Sequence, residues 1–142
     1  DKFDDNNGHV PAALLNRFHL AKINNLPKVT VWGSGNPLRE FLYVDDLADA
    51  CIFLAENYNS SQLINVGSGY EISIKKFANL IKEVVGYKGK IIFDASKPDG
   101  MKRKLLDSEK IKKIGWKPKI SLKKGLKLFY KWYLNNQNIL RK

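Results

Sequence analysis

Trp32 and Arg39 flank the turn Gly33-Ser34-Gly35-Asn36-Pro37. That pairing suits an anionic, ring-bearing ligand. A guanidinium presents a fork of donors to phosphate, and an indole presents a flat face to a base. The plainer alternative is a core tryptophan beside a surface cation. His9 is a second candidate, because it opens a helix, where backbone N–H groups gather and anions are favoured. A helix cap or a surface histidine is its plainer reading. Arg17 lies two turns further along, roughly on the same side. A third candidate is the stretch Asp94 to Lys104, Asp-Ala-Ser-Lys-Pro-Asp-Gly-Met-Lys-Arg-Lys. Two acids and four bases in eleven loop residues fit a ligand loop better than a connector, although a solvated loop remains an alternative.

The elements that must carry these residues follow from pattern. His9-Val10-Pro11 opens a helix with Leu14, Phe18 and Ala21 on one face, ending near Asn24-Asn25. Val29–Trp32 reads as a β-branched strand bounded by turn residues. Gly33 to Pro37 is a dense turn signal. Arg39–Tyr43 alternates as a half-buried strand, and Asp45 or Asp46 is placed to cap the next helix. That helix presents Leu47, Ala48, Cys51, Leu54 and Ala55, so Cys51 is expected to be buried filler. Leu63–Val66 reads as a strand before Gly67-Ser68-Gly69. Ser73 caps a helix with Ile74, Phe77, Ala78, Ile81 and Val84, ended by Gly86. Lys90–Phe93 is a further strand and Ser108–Ile114 a short helix. Gly115 to Pro118 is a turn, and Ser121 caps a last helix with Leu122, Leu126, Phe129, Tyr130 and Tyr133. The expected class is α/β, with residues 1–142 forming one domain. His19 has no partner evident in the sequence.

Bulk properties narrow the function. With 142 residues and 44% hydrophobic residues, the chain can bury a real core. No run of eighteen apolar residues marks a membrane span. The start Asp1-Lys2-Phe3-Asp4-Asp5 is unlike a signal peptide. It has no initiator Met, which fits a processed product or part of a longer polypeptide. A single cysteine permits no internal disulfide and fits a reducing cytoplasm. The net charge of +11 is uneven: residues 1–71 hold 5 basic and 9 acidic side chains, residues 72–142 hold 20 and 5. A basic half raises nucleic-acid binding. However, 21 of the 25 basic residues are Lys, mostly on the polar faces of expected helices, and no nucleic-acid-binding motif appears. No Cys/His cluster has metal-ligand spacing. Gly33-Ser34-Gly35 leads into Pro37 and a strand rather than a helix, so it is not a dinucleotide loop. A nucleophile elbow is absent, as is a Tyr four residues before a Lys in a plausible catalytic helix. Taken alone, the chain reads as a binding domain without a complete reaction centre.

Several motifs resemble a known family. Arg39-Glu-Phe-Leu-Tyr-Val-Asp-Asp-Leu-Ala and Asn65-Val-Gly-Ser-Gly are similar to the C-terminal half of extended short-chain dehydrogenase/reductases acting on nucleotide sugars. Gly8-His9-Val10-Pro11 with Arg17, Val31-Trp-Gly-Ser-Gly-Asn-Pro-Leu-Arg39, and Phe93-Asp-Ala-Ser-Lys-Pro-Asp-Gly narrow the resemblance to the GDP-L-fucose synthase family. The resemblance covers nearly the whole chain. It implies the substrate-binding part of such an enzyme, lacking most of the Rossmann half and inactive alone. The implied reaction epimerises GDP-4-keto-6-deoxy-mannose at C3 and C5, then reduces C4 with NADPH to give GDP-L-fucose. The implied complete enzyme is a cytoplasmic homodimer with no nucleic-acid or membrane partner. A 4-ketone acidifies both flanking C–H bonds, so one acid–base pair can work through enolates. By the same resemblance, His9 is an acid–base residue that also lies beside the nicotinamide cofactor. Arg17, Trp32, Arg39, Asp99 and Lys104 match positions that hold the GDP-sugar. Arg39 and Lys104 would neutralise the diphosphate. Trp32 and Asp99 would face the nucleoside, and Arg17 would lie on the nucleotide side. The family's Ser-Tyr-Lys set and its catalytic Cys lie upstream, and Cys51 does not match that Cys. The family reads Asp-Gly-Thr-Pro-Arg-Lys where this chain has Asp99-Gly-Met-Lys-Arg-Lys104. Lys102 therefore competes with Lys104 for the phosphate. Other nucleotide-sugar epimerases, dehydratases or reductases of the superfamily, and a basic nucleic-acid-binding domain, are the rival readings.

Overall fold

Helix α1 (Val10–Ile23) begins with Pro11 in its first turn, where a missing N–H costs nothing. It ends at Asn24, and Asn25 takes a left-handed φ of 51° to turn the chain. The structure, a computed structural model, describes residues 2, 3 and 8–140. Helix α3 (Ile74–Val85) is capped as its sequence directs: Ser73 Oγ accepts from Lys76 N–H, and Gly86 closes the helix at φ 74°. Helix α5 (Leu122–Asn135) repeats the serine cap, Ser121 accepting from Lys124 N–H. A short 3-10 turn, Gln137–Ile139, follows.

These three helices bury their apolar faces together. Leu14, Leu15 and Phe18 of α1, Phe77, Ala78 and Ile81 of α3, and Leu126 and Tyr133 of α5 form one core. Val29 and Val31 join it from strand β1 (Lys28–Trp32), which pairs in parallel with β4 (Lys90–Asp94). A parallel pair needs a crossover, and the chain between the two strands supplies it. That crossover carries β2 (Leu38–Glu40), helix α2 (Val44–Asn57), β3 (Glu71–Ser73) and α3. A second sheet runs β3-β2-β5, antiparallel at β2/β3 and parallel at β2/β5, with β5 at Arg103–Lys104. Helix α4 (Glu109–Lys113) lies with α2 over a smaller cluster of Ala50, Ile111 and Trp116. Phe41 and Leu42, adjacent in sequence, lean into the larger and the smaller cluster respectively. Among the described residues no helix is long and apolar enough to cross a membrane.

Four expectations are corrected. First, α2 is capped by Tyr43 without a side-chain bond, and neither Asp45 nor Asp46 is its cap. Asp46 is buried, and its two oxygens accept from Lys119 N–H (3.1 Å) and Ile120 N–H (2.9 Å). Second, α2 turns Asp46 and Ala50 inward, so Cys51 is exposed instead of buried. The helix is apolar on two sides, and its periodicity cannot choose between them. Third, Leu63–Val66 forms no strand, and Leu63 is 96% exposed. A strand needs a neighbour to complete its ladder, and no described strand pairs with this segment. Fourth, the strand expected over Arg39–Tyr43 is only Leu38–Glu40, while the basic loop ends in β5. Pairing to β5 and β3 is what limits β2.

Candidate functional site

The site is built on the turn after β1. Gly33 N–H donates to Asp94 O (2.9 Å), extending the β1/β4 ladder into the turn. Asp94 then starts the basic loop with a local turn: its Oδ1 accepts from Ser96 N–H (3.0 Å) and Ser96 O–H (2.6 Å). Those bonds hold the Asp94 carboxyl below the usual carboxylate range. Lys97 N–H donates to Asp94 O (3.2 Å). The loop returns to the turn through Asp99, whose oxygens accept from Ser34 N–H (2.6 Å) and Ser34 O–H (2.7 Å). Gly33 takes φ 84°, and a Cβ there would run into Asp99 Oδ1. Only glycine meets both demands.

This staple gathers cations around Trp32, which is half exposed at 49%. Lys97 Nζ lies over the indole at 5.7 Å from the ring centroid and Arg17 Cζ at 5.9 Å. Arg17 is also anchored, its Nη1–H donating to Thr30 O at 2.6 Å. A cation over an indole is attracted by the ring quadrupole.

Arg39 forms the next part of the wall. It is the register partner of Lys104 across the parallel β2/β5 pair, so the two cations share one face of the sheet. Arg103 points to the other face, where it donates to Glu71 Oε2 at 2.6 Å. Arg39 Nη1–H donates to Leu38 O (2.7 Å), and its guanidinium faces Gly100 of the loop, where a Cβ would lie 3.8 Å from Nη2. Lys102 contributes a backbone bond, its carbonyl accepting from Leu38 N–H at 2.9 Å. The structure thus brings Arg17, Trp32, Arg39, Asp99 and Lys104 to one turn-and-loop region. His9 is exposed at the N-cap of α1 with extended backbone and makes no side-chain cap bond. Arg17 is eight positions further on, roughly 12 Å along the helix axis. Among the described residues no group of three or more His, Cys, Asp or Glu could hold a metal ion.

Sequence reasoning missed Glu40. Its Oε1 accepts from Gly69 N–H (2.6 Å) and Ser68 O–H (3.3 Å), and its Oε2 accepts from Leu106 N–H (3.0 Å). Next to Arg39, it ties β2 to Gly67-Ser68-Gly69 and to the chain after β5. A Cβ on Gly67 would meet Glu40 Oε1, so the glycine leaves room for this clip. Two motifs almost thirty residues apart gave the only signal, and a sequence does not say that they touch. His19, without an evident partner in the sequence, is buried against α5: Nδ1 meets Tyr130 Oη at 3.0 Å and Nε2 meets Gln137 Nε2 at 3.1 Å. Burial, and then the charge of Lys22, lower its pKa.

Residues 2–67 match the NAD-dependent epimerase/dehydratase family. A putative GDP-L-fucose synthase 2 of Arabidopsis thaliana is 60% identical over 96% of this chain and 42% of its own length. GDP-L-fucose synthase of Escherichia coli K12 is 49% identical over 99% of this chain and 47% of its own. A GDP-L-fucose synthetase from Naegleria fowleri, solved bound to NADP, superposes with a TM-score of 0.92 at 31% identity, over all of this chain and 45% of that one. The chain therefore spans just under half the length of the relatives it matches.

Proposed function

We propose that this chain, a homologue of the GDP-L-fucose synthases among the extended short-chain dehydrogenase/reductases, is the GDP-sugar-binding part of such an enzyme. The supporting observation is the shared face of Arg39 and Lys104 beside the Trp32 turn. Two cations on adjacent strands suit a diphosphate, and a half-exposed indole nearby suits its base. The complete enzyme would epimerise GDP-4-keto-6-deoxy-mannose at C3 and C5 and reduce it at C4, as a homodimer. NADPH would supply the hydride there. The described residues offer no dinucleotide loop, because Gly33-Ser34-Gly35 runs into Asn36, Pro37 and β2. The reduction is therefore assigned to no residue of this chain, which is expected to lack the Rossmann half and to be inactive alone.

The roles follow the chemistry. Arg39 grips the diphosphate with a bidentate fork, and Lys104 adds a point charge. Arg17 and Trp32 form the nucleoside end. Asp99 contributes through Ser34, holding the loop against the turn. His9 exchanges protons at C3 and C5 from the exposed start of α1. A nucleic-acid ligand is the weaker reading, because Arg103, Lys119 and Lys123 are each paired with an acid.

Calorimetric titration of this chain tests the proposal. GDP should bind and NADPH should not; tight NADPH binding would sink it. Arg39→Ala should weaken GDP binding by about 1.5–3 kcal/mol, the range for a hydrogen bond to a charged group, and Arg39→Lys should recover only part. An unchanged affinity would make Arg39 a surface charge. In the complete enzyme, His9→Gln should slow solvent-deuterium exchange at C3 and C5 by about 10²–10⁴-fold while GDP-sugar affinity holds. Parental exchange rates would reduce His9 to a structural residue.

A further inference from the structure

Resting on the GDP-sugar reading, we infer that Lys97 selects guanine, reading its O6/N7 edge while the base lies on Trp32. Three observations carry this. Trp32 pairs in register with Asp94, and the Asp94–Ser96 turn sets Lys97 directly beyond that pair. The Lys97 ammonium consequently hangs over the indole at 5.7 Å from its centroid. Arg17, the other cation over the ring, is anchored to Thr30 O, whereas Lys97 projects from an exposed loop. An incoming base that stacks on the ring displaces the cation on the flexible stem, Lys97, which keeps the Asp94 carboxylate as its charged neighbour. The flexible four-carbon stem keeps the displaced ammonium at the edge of that base.

The edge it meets decides selectivity. Guanine offers two adjacent acceptors, O6 and N7, and one ammonium can serve both. Adenine offers N7 beside the N6 amino donor, which faces an ammonium donor to donor. Asp99, the other group of this loop that could meet guanine, accepts one Ser34 bond on each oxygen and keeps a lone pair on each, so any contact it makes with the N1 or N2 donors adds to the Lys97 contact without replacing it. With Lys97 on the acceptor edge, inosine diphosphate, which keeps O6 and N7 but lacks the 2-amino group, should substitute for GDP.

The test is calorimetric titration of this chain, parent and Lys97→Ala, with GDP, inosine diphosphate and ADP. In the parent, inosine diphosphate should bind within a few-fold of GDP, and ADP roughly ten- to hundred-fold more weakly, the span of one such edge contact. Lys97→Ala should lose that preference by weakening GDP and leaving ADP unchanged, and Lys97→Arg should keep it. A parent that binds GDP and a Lys97→Ala variant that still prefers it over ADP would overturn the inference alone. So would inosine diphosphate binding as weakly as ADP. A parent with no affinity for GDP would overturn the GDP-sugar reading, and this inference with it. Unaltered far-ultraviolet dichroism of each variant excludes misfolding, which is not expected of a change on an exposed loop.

Discussion

The larger core and the smaller cluster are held in different ways. The α1–α3–α5 core is a packed apolar interior: Leu15, Phe18, Phe77, Ala78 and Ile81 are fully buried, and Phe41 stacks on Phe77 at 4.0 Å between centroids. The α2–α4 cluster has only Ala50, Ile111 and Trp116 as fully covered apolar residues. Carboxylates do the rest of its joining. Asp46 holds the backbone of Lys119 and Ile120, and Asp49 accepts from Trp116 Nε1–H (2.9 Å) and Lys119 Nζ (2.8 Å). Its two nearest bonds keep the Asp49 carboxyl below its usual range, Lys119 contributing most. Helices with long apolar faces make their own cohesion. A helix that is apolar on two sides needs directional bonds to say which side goes in.

Truncating a large buried ring tests the first half of that contrast. Phe77→Ala should cost about 3–5 kcal/mol, the usual range for such a deletion, and should lower the single urea midpoint of the chain. Asp46→Ala should cost less, about 1–3 kcal/mol for removing the charged acceptor of two part-buried N–H groups. Its effect should be local, with amide exchange of Lys119 and Ile120 accelerating while that of α3 holds. If Asp46→Ala lowers protection in α3 as much as Phe77→Ala does, the two regions are one cooperative unit and the contrast fails.

The smallest expected effect sharpens the contrast within the larger core, which holds a polar joint of its own. His19 links α1 to Tyr130 and to Gln137 beyond α5. Its pKa is lowered in the folded chain, chiefly by burial and then by Lys22. The unfolded chain then takes up this proton first, so stability is lost as pH falls below about 6.5. That step precedes protonation of Asp49, Glu83 and Asp94, whose lowered values place their losses near or below about pH 4. Urea midpoints from about pH 8 to 5 should show the slope in the parent and a reduced slope in His19→Gln. A parent profile flat over this range would show that His19 is not perturbed.

The ligand wall depends on the same kind of directional bond as the smaller cluster. Asp99 fastens the basic loop to Ser34 across 65 positions, and Glu40 fastens β2 to Gly69 across 29. Trp32, Arg39 and the charged loop stood out in the sequence because their types are unusual and close together. Glu40 did not, because an acid in a strand carries no local signal, and within the loop nothing local set Lys97 apart from its other bases.

By itself the sequence determined the features that close within a few residues. Ser73 and Ser121 cap helices by accepting from N–H groups three positions on, and Gly86 ends α3 because a left-handed residue is needed there. Such contacts need no knowledge of the rest of the chain. Tertiary structure alone decided that Asp46 turns inward, that Cys51 faces out, that Leu63–Val66 has no strand beside it, and that Arg39 meets Lys104. Each of those depends on which distant backbone lies alongside. Periodicity marks the faces an element can bury, but the neighbour that supplies the missing hydrogen bonds settles which of them it does bury.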